Sequence, residues 1–380
     1  MQKHIKENGN IIYGDLSKQI NLKYEFKGKN NIIFFAGGSS NVNILFDSDD
    51  GLIFIGNNVV FNGKIIIKNN SLCFIDNNST FNGVSIEAVE AKNIFFGNDC
   101  MFSWGIWLST TDYHPLMDCN TNNRINFSKS IYIGDHVWCS RDVGILKDVF
   151  IASGSVIGAK GVVSKICYSN TANAGIINKE IKQDIFWLRY SIGNKAWTKK
   201  HTEQYSNVAI NDFKYTYNQN EFLSPKAIEE KLDSLNTAQE KLEFVYDAIY
   251  CNQNKNRFAY FKDMPYDIPL PKYENKFKSL KFEEIDETKP QPTPPAPKPT
   301  PQPTPQEQIK LLQDKINNLE INYQKALKTK NHLSYKLGEA LIRANKNWYK
   351  GGYVKFIFEV IKIKKEHKAN INNTQGKAYQ

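Results

Sequence analysis

Apolar residues between positions 30 and 165 occur in short clusters, without the three- and four-residue spacing of an amphipathic helix. Dipeptides that favour turns, such as Asn-Gly, Asn-Asn and Gly-Asp, separate these clusters. Six of the clusters share a pattern in which an aliphatic or aromatic residue is followed by small or polar residues. They begin at Ile55, Ile75, Phe96, Ile133, Ile151 and Ile157. This pattern predicts short strands joined by tight turns.

The spacing of the clusters predicts how the strands are arranged. Their starts are 20, 21, 37, 18 and 6 residues apart, so six residues is the unit and three units make a coil of 18. The steps of 20 and 21 are one coil plus a small insertion. A hexapeptide period with an aliphatic first position indicates a parallel β-helix, in which that side chain points inward and stacks on the next coil. We predict this fold for residues 50–165, and strands without further assignment for 1–50.

The step of 37 residues contains one coil and 19 surplus residues, which form a polar loop before Ile133. Long insertions in a regular repeat are usually functional or disordered, and loops tend to carry the chemistry of a rigid scaffold. This loop includes His114, followed by Pro115. His114 is therefore a candidate catalytic residue, with a solvated loop histidine as the alternative interpretation.

The pattern changes after Lys165. A Ser-Pro pair at 224 and 225 predicts the start of an amphipathic helix over 224–250. A Pro-rich stretch predicts an extended linker, and beyond it apolar residues recur every seven positions, as in a coiled coil of about five heptads. The two predicted seams are Ile309, Ile316, Tyr323, Lys330, Leu337 and Ala344, and Leu312, Leu319, Ala326, Leu333 and Ala340. The predicted divisions are a β-helix domain at 1–185, an α-rich accessory region at 186–288, the linker at 289–305, and a coiled coil with a basic aromatic tail at 306–380.

Composition narrows the class of protein. The 380 residues are 41% hydrophobic and 23% charged, which is ordinary for a soluble protein. The first ten residues are polar and no apolar run reaches about 18 residues, so neither a secretory signal nor a membrane span is predicted. The six cysteines are scattered without a C-x-x-C pair, which favours reduced thiols over a disulfide framework or a zinc site. A cytoplasmic protein without a metal site is expected.

Three segments together resemble a known enzyme family. The loop sequence TTDYHPL, followed by SIYIGDHVWCS and VFIASGSVIGAKGVVSK, resembles the left-handed β-helix (hexapeptide-repeat) O-acetyltransferases over roughly residues 95–180. Trp138 follows His114 by 24 residues, a spacing similar to that of bacterial capsular polysaccharide O-acetyltransferases. The resemblance implies a left-handed parallel β-helix, acetyl-CoA as the acetyl donor and a sugar hydroxyl of a capsular or surface polysaccharide as acceptor. It also implies a homotrimer with active sites shared between chains.

The proposed chemistry requires a base and correct positioning. A sugar hydroxyl must lose its proton as it attacks the thioester carbonyl, and a neutral imidazole is suited to accept that proton. His114 has this role in our interpretation. Asp112, close to it in the loop, either orients the imidazole or meets a sugar hydroxyl, and is otherwise a solvated residue. His136 is interpreted as a corner residue of the coil.

The resemblance also implies a donor site along the last coils. Trp138 is placed in the acetyl-CoA or acceptor groove, against the alternative of packing on the outer wall. Asn-Pro-Ala of the family's closing turn is replaced here by Ile176-Ile177-Asn178, so the turn differs near the two lysines expected to face the CoA phosphates. The remaining candidate acetyl-CoA contacts are Ser140, Val143, Gly158, Ser164, Lys165, Lys179 and Lys182.

Most of the net positive charge lies in the C-terminal segment. The chain carries a net charge of +10, of which residues 306–380 contribute +9, from 15 basic and 6 acidic residues. This basic tail fits docking on the inner face of the cytoplasmic membrane, docking on a capsule-assembly complex, or attraction of a polyanionic polymer. No recognition motif for nucleic acid accompanies the charge.

Two other functions remain open from the sequence. An N-acetyltransferase of an amino-sugar nucleotide needs a base of the same kind, so His114 alone does not discriminate between the two reactions. A polysaccharide-binding or scaffold β-helix without catalysis is the third interpretation.

Overall fold

The computed structural model describes residues 1–208, 211–288, 333–346, 355–365 and 367, together with 313, 316 and 320. From Ile11 to Ala174 the chain winds through successive three-sided coils, in which each strand pairs in parallel with the equivalent strand of the next coil. The predicted β-helix is therefore confirmed. It also includes residues 11–50, which the sequence pattern identified only as strands.

Each coil contributes to three faces, which we call faces I, II and III in chain order. Face I consists of β2 (Ile11–Tyr13), β5 (Ile32–Phe35), β8 (Leu52–Ile55), β10 (Leu72–Ile75), β12 (Asn93–Phe96), β15 (Ile131–Ile133) and β18 (Phe150–Ile151). Face II begins with β3 (Gln19–Ile20) and β6 (Ser39–Ser40) and ends with β13 (Met101–Phe102), β16 (Trp138–Cys139), β19 (Val156–Ile157) and β21 (Ala172–Ala174). Face III contains β4 (Lys23–Phe26), β7 (Asn43–Phe46), β14 (Ile106–Ser109), β17 (Gly144–Ile145) and β20 (Val162–Val163).

Two long strands, β9 (Val59–Ile67) and β11 (Thr80–Ala88), continue from face II into face III. Three further strands close the sheets: β1 (Gln2–Ile5), β22 (Lys179–Lys182) and β23 (Glu283–Asp286). β1 is antiparallel to β2 and parallel to β23, and β22 is antiparallel to β21.

The predicted register is confirmed residue by residue. Ile55 pairs with Ile75, and Phe96 pairs with Ile133 across the 37-residue step. These side chains point inward and belong to one buried core that runs through the coils. The bulge in β11 accounts for part of the longer early coils. Gly63 lies so close to the neighbouring strand that an added Cβ would meet the Val84 carbonyl oxygen at 1.9 Å, which only glycine avoids.

The corner between faces I and II explains the Asn and Asp residues of the repeat. Asn58, Asn78, Asp99 and His136 occupy equivalent corner positions with φ between 52° and 60°. Asn tolerates this left-handed conformation better than most residues. The Asn78 side-chain oxygen accepts a hydrogen bond from the Asn58 amide at 3.1 Å, which links one corner to the next. His136 is a corner residue, as its sequence position predicts.

Face I is buried on both sides. Its outward side chains form an aromatic stack in which Phe34, Phe54, Phe74 and Phe95 follow one another with ring centroids 4.8 to 5.5 Å apart. Residues 215–282 cover this stack and form a second buried core with it. Strands buried on both faces are apolar at consecutive positions, and the face I sequences IIFF, LIFI and LCFI have this character.

The described residues of the accessory region form three short α-helices, α1 (Lys199–Gln204), α2 (Pro225–Asp233) and α3 (Ala238–Phe244). α3 continues as a π-helical turn, Val245–Tyr250. Single-turn 3-10 helices are found at Glu7–Gly9, Leu16–Lys18 and Phe277–Ser279.

The prediction of one helix over 224–250 is wrong in one respect. Ser224 caps the helix with Pro225 at its first position, as expected, but α2 ends at Asp233. A new helix, α3, begins after Thr237, because Thr237 and Glu240 form a capping box. The break lets both short helices pack against face I.

Residues 1–291 and 292–380 form two compact units. In the second unit α4 (Leu333–Lys346) is helical, and so are residues 355–365. α4 carries the last predicted seam positions, of which Ala340 and Ala344 are buried. The rest of the predicted coiled coil, apart from exposed Ile316, and the predicted linker at 289–305 lie outside the described residues, so both stay predictions.

Candidate active site

The loop that contains His114 leaves the β-helix at the corner between faces III and I, after β14, and returns at β15. It is anchored near its end, where Arg124 donates to Glu90 and the Ser128 hydroxyl donates to the same carboxylate. The Arg124 guanidinium and the Ser128 hydroxyl lower the pKa of Glu90 to about 2. An antiparallel bridge between Met117 and Arg124 closes the tip. The loop is thus held at its base and projects its tip away from the coil.

His114 lies in the exposed part of this loop. Its backbone is fixed on both sides, because its N–H donates to the Asp112 carbonyl at 2.8 Å and its own carbonyl accepts from the Asn126 side chain at 2.9 Å. No hydrogen bond or ring contact involves its imidazole among the described residues. The main chain is therefore ordered while the imidazole is free to meet a substrate.

The Asp112 carboxylate contacts Lys147 and Asn126, not the His114 imidazole. The carboxylate accepts from the Lys147 ammonium and, at 2.9 Å, from the Asn126 side chain. The hydrogen bond from Lys147 is the main cause that lowers the pKa of Asp112. In this conformation Asp112 helps to hold the start of the loop against the coil.

A cavity of about 320 Å³ opens between this part of the loop and face III. Its wall combines the Trp107 ring, which is 48% exposed, with the polar side chains of Glu87, Ser109 and Lys147. An aromatic surface beside a few polar groups is suited to binding a small polar ligand. This cavity was not foreseen, although Trp107 is an outward residue of an otherwise ordinary strand.

The predicted donor residues fall into two groups. The first follows the outer surface of face II, where Trp138 pairs with Val156 and Val156 with Ala172. Ala172 and Ala174 in turn pair with Lys182 and Lys179 of β22. Beside this row, Ser140 and Gly158 occupy successive coils, and the Gly158 N–H donates to the Asn173 carbonyl at 2.7 Å. Small side chains thus separate a half-buried Trp138 from two exposed lysines.

The second group lies at the corner between faces III and I. Ser164 and Lys165 are exposed directly after β20, one coil beyond Lys147 and on the same corner as the His114 loop. Val143 differs from the others because its side chain belongs to the inner core and is fully buried. Since its main chain is buried as well, and its carbonyl accepts from the Trp107 N–H at 3.2 Å, Val143 is not accessible to a ligand in this chain.

His114 and Trp138 lie on different parts of the coil. The loop starts at the corner between faces III and I, whereas Trp138 begins face II, just past the corner between faces I and II. No hydrogen bond or ring contact among the described residues joins the two side chains. A single chain therefore presents the two strongest candidates on separate surfaces.

A segment that the sequence did not mark crosses the corner beside Trp138. We call residues 185–208 the strap. The Trp187 ring stacks on His136 with centroids 4.0 Å apart and lies 5.9 Å from Trp138. Arg189 donates to Asp99 and, at 2.8 Å, to the Cys100 carbonyl. The strap thus runs back along the β-helix and covers the corner row.

His136 is enclosed by these contacts. Its ring lies between Trp187 and Phe213, and only 1% of the residue is exposed. Its two nitrogens face the Asp99 carboxylate at 2.7 Å and the Trp187 carbonyl at 3.0 Å. His136 therefore fastens the strap and is not accessible to a substrate.

In the described part of the chain, no three His, Cys, Asp or Glu side chains lie close enough together to hold a metal ion. The six cysteines are free, and four of them are buried. Burial raises the pKa of the Cys73 thiol, as it does for Cys100 and Cys139.

Comparison with known proteins identifies relatives of this chain. A polysialic acid O-acetyltransferase of Escherichia coli O1:K1 is 35% identical over 97 residues, which are 26% of this chain and 32% of that protein. One of Neisseria meningitidis is 29% identical over 145 residues, 38% of this chain and 58% of that protein. The crystal structure of the polySia-specific acetyltransferase NeuO matches this chain with 31% identity and a TM-score of 0.44. The match covers 52% of this chain and 94% of the NeuO chain.

The chain thus spans between about a third and three fifths of the two curated relatives. Residues 307–369 match a different family, described as a domain of unknown function (DUF8374). The two curated relatives are polysialic acid O-acetyltransferases, and the resemblance found in the sequence motifs is confirmed.

Proposed function

We propose that this chain, whose relatives are polysialic acid O-acetyltransferases, transfers an acetyl group from acetyl-CoA to a hydroxyl of a bacterial capsular or surface polysaccharide. The observation that carries the proposal is the exposed imidazole of His114 on an anchored loop of the β-helix. The acceptor class follows from the polysaccharide named for both relatives.

His114 acts as the general base in this proposal. The sugar hydroxyl gives its proton to the imidazole as its oxygen attacks the thioester carbonyl, and the collapse of the tetrahedral intermediate releases the CoA thiolate, which takes up the proton. The hydrogen bonds at the His114 N–H and carbonyl hold the backbone, so that only the side-chain torsions have to be selected when substrate binds.

Face II supplies the donor groove. Pantetheine fits along the row that begins at Trp138, because the outward residues beyond it, Val156 and Ala172, are small and an extended chain can lie flat on them. Ser140 and Gly158 lie beside the row and keep it free of large side chains. Lys179 and Lys182 at its far end are exposed and face the CoA phosphates in this proposal, where each contributes a charge-assisted contact.

The active site is shared between chains of a homotrimer. His114, Ser164 and Lys165 project from the corner between faces III and I, while Trp138 and the donor row lie on face II. In a cyclic assembly the first surface of one chain meets the second surface of its neighbour, which unites the two groups. Exposed apolar residues of the loop, including Ile125 and Phe127, are available for that contact.

The basic tail holds the protein at the cytoplasmic face of the membrane in this proposal. No described helix is long and apolar enough to cross a bilayer. In the helix at 355–365, however, Ile357 and Phe358 are 59% and 70% exposed next to Lys355, Lys362 and Lys364. Exposed apolar side chains flanked by lysines favour an anionic membrane surface. Co-sedimentation with vesicles containing anionic lipid tests this, and equal sedimentation after removal of 347–380 would contradict it.

The reaction is tested by CoA release from acetyl-CoA in the presence of de-O-acetylated capsular polysaccharides, polysialic acid among them. Turnover with a polymer and an alkali-labile product establish an O-acetyltransferase. An alkali-stable product formed from an amino-sugar nucleotide instead would identify an N-acetyltransferase, because amides survive mild alkali. No turnover with any acceptor, in protein that binds acetyl-CoA, would count against both reactions.

A further inference from the structure

The outer side of the strap carries a hollow that the proposed reaction does not use. Trp187 and Arg189 face the β-helix, and the alternating residues Phe186, Leu188 and Tyr190 face the opposite way. They line a cavity of about 670 Å³, which α1 closes from the other side. This cavity is larger than the one beside the His114 loop.

Four aromatic rings line the hollow together with aliphatic and polar side chains. Tyr205 lies between Tyr190 and Trp197, with centroid distances of 4.7 and 5.5 Å. Tyr190 remains 58% exposed. The Trp197 indole N–H donates to Thr202 at 2.9 Å, which fixes the ring plane at the start of α1. Flat rings that are fixed and accessible, with hydroxyl groups at their edges, suit the apolar face and the hydroxyls of a sugar ring.

The strap carries a net positive charge. It contains Lys195, Lys199 and Lys200 and one acidic residue, Glu203, while Arg189 is paired with Asp99 on the side that faces the β-helix. Lys199 lies 3.9 Å from Glu203, but in the described part of the chain no ion pair involves Lys195 or Lys200. Two exposed lysines outside any ion pair of the described residues, on the segment that forms the hollow, complement a carboxylated sugar.

The position of the hollow relates it to the acceptor and not to the donor. The donor row runs from Trp138 through later coils to Lys182. The strap runs in the other direction, from Asn170 past His136 to Asp99 and Asn78 of earlier coils. A polymer whose reacting sugar lies at Trp138 can therefore continue towards the hollow without crossing the acetyl-CoA groove.

We propose that the aromatic hollow of the strap is a distal acceptor subsite that binds a sugar residue of an acidic polysaccharide, with Tyr190 and Trp197 against the ring and Lys195 and Lys200 near its carboxylates. This inference rests on the proposed function, since it concerns the same acceptor. A second contact on one polymer raises the affinity for long chains but not for short oligomers that reach only one site.

The experiment compares kcat and KM for long polysialic acid and for its short oligomers. Tyr190→Ala combined with Trp197→Ala should raise KM for the long polymer about tenfold, which is the loss of one modest contact. kcat, KM for acetyl-CoA and KM for short oligomers should stay unchanged. Lys195→Gln combined with Lys200→Gln should raise the same KM and weaken its salt dependence, without removing any packed ring. The matched control is Lys23→Gln with Lys64→Gln, two exposed lysines of the early coils, which should change nothing.

Each outcome decides the inference. An unchanged KM for the long polymer in both strap variants would overturn it, and so would equal binding of neutral dextran. Loss of self-association in the strap variants, measured by sedimentation, would assign the hollow to a second copy of the chain instead. If the unmodified protein acetylates no polymer, the proposed function fails, and direct binding of polysialic acid to protein and variants still tests the subsite.

Discussion

At the scale of single residues, the His114 loop separates positioning from chemistry. Glu90 is paired with Arg124 and Asp112 is paired with Lys147, and both ion pairs hold the loop to the coil. His114 itself has neither a side-chain partner nor a packing role among the described residues. Substitutions at these positions should therefore affect different measured quantities.

Replacing His114 by Ala should lower kcat by about 100- to 10,000-fold, the usual contribution of a general base. The melting temperature should not change, because the side chain is exposed and buries nothing. The value of kcat is measured with the best polymer acceptor, and the melting temperature is measured on the protein alone. Full turnover in this variant would remove His114 from the mechanism, whereas loss of acetyl-CoA binding would show a donor-site defect instead.

The anchor at Glu90 should depend on pH in the acid range. Its pKa is about 2 in the folded protein against 4.5 for a free carboxyl, so the stabilisation is complete above pH 4.5 and is lost as the pH falls towards 2. Amide hydrogen exchange of residues 110–130, corrected for the intrinsic pH dependence, should therefore rise below pH 4.5.

In the Glu90→Gln variant, amide hydrogen exchange of residues 110–130 should already be faster at neutral pH. It should change little further as the pH falls below 4.5. Glu25→Gln, which replaces an exposed glutamate outside any ion pair of the described residues, is the matched control. Exchange in the loop that is flat with pH in the unmodified protein would contradict the role of Glu90.

At the scale of elements, a buried arginine joins the accessory region to the β-helix. Arg257 donates to Asp76 at 2.6 Å and to Asp135 at 2.7 and 3.0 Å, and to the carbonyls of Ile249 and Asn252. The two carboxylates follow β10 and β15 of face I. Burial raises the pKa of Asp76 in spite of the arginine beside it.

Arg257→Ala should lower the free energy of unfolding by about 3–5 kcal/mol, because it leaves two carboxyl groups buried without their cation. Urea unfolding measures this. Arg141→Ala, an exposed arginine with no ion pair in the described residues, should change stability by less than about 0.5 kcal/mol. A small effect at Arg257 would mean that water or a proton replaces the guanidinium at little cost.

At the scale of the whole molecule, the proposed site needs two chains, because His114 and Trp138 lie on different surfaces of one chain. A trimer should have three times the chain mass of 43.6 kDa by light scattering. The position of the accessory region is compatible with this, since it covers face I and leaves the donor row on face II accessible.

Mixing chains tests the shared site directly. His114→Ala and Trp138→Ala trimers should each be inactive, while trimers refolded from an equal mixture should regain roughly a quarter of the activity, because one site in four then combines an intact His114 with an intact Trp138 of its neighbour. No recovery in mixed trimers of confirmed composition would place both residues of each site on one chain.

Sequence alone determined the β-helix, its register and the His114 loop. A repeat places the same type of residue at the same position of each coil. An inward residue such as Phe96 can therefore be paired with Ile133 from the spacing alone, even across the insertion. The corner role of His136 followed from the same count. The consecutive apolar residues of the face I strands also indicate that this face is covered. They do not indicate which segment covers it.

Only the tertiary structure decided which residues meet across long distances in the chain. The attachment of Arg257 to Asp76, the enclosure of His136 by Trp187 and the pairing of Asp112 with Lys147 join residues whose spacing follows no repeat. The break between α2 and α3 likewise reflects packing on face I as well as the local capping box. Periodic contacts are set by local sequence, whereas these contacts depend on how the folded surfaces fit together.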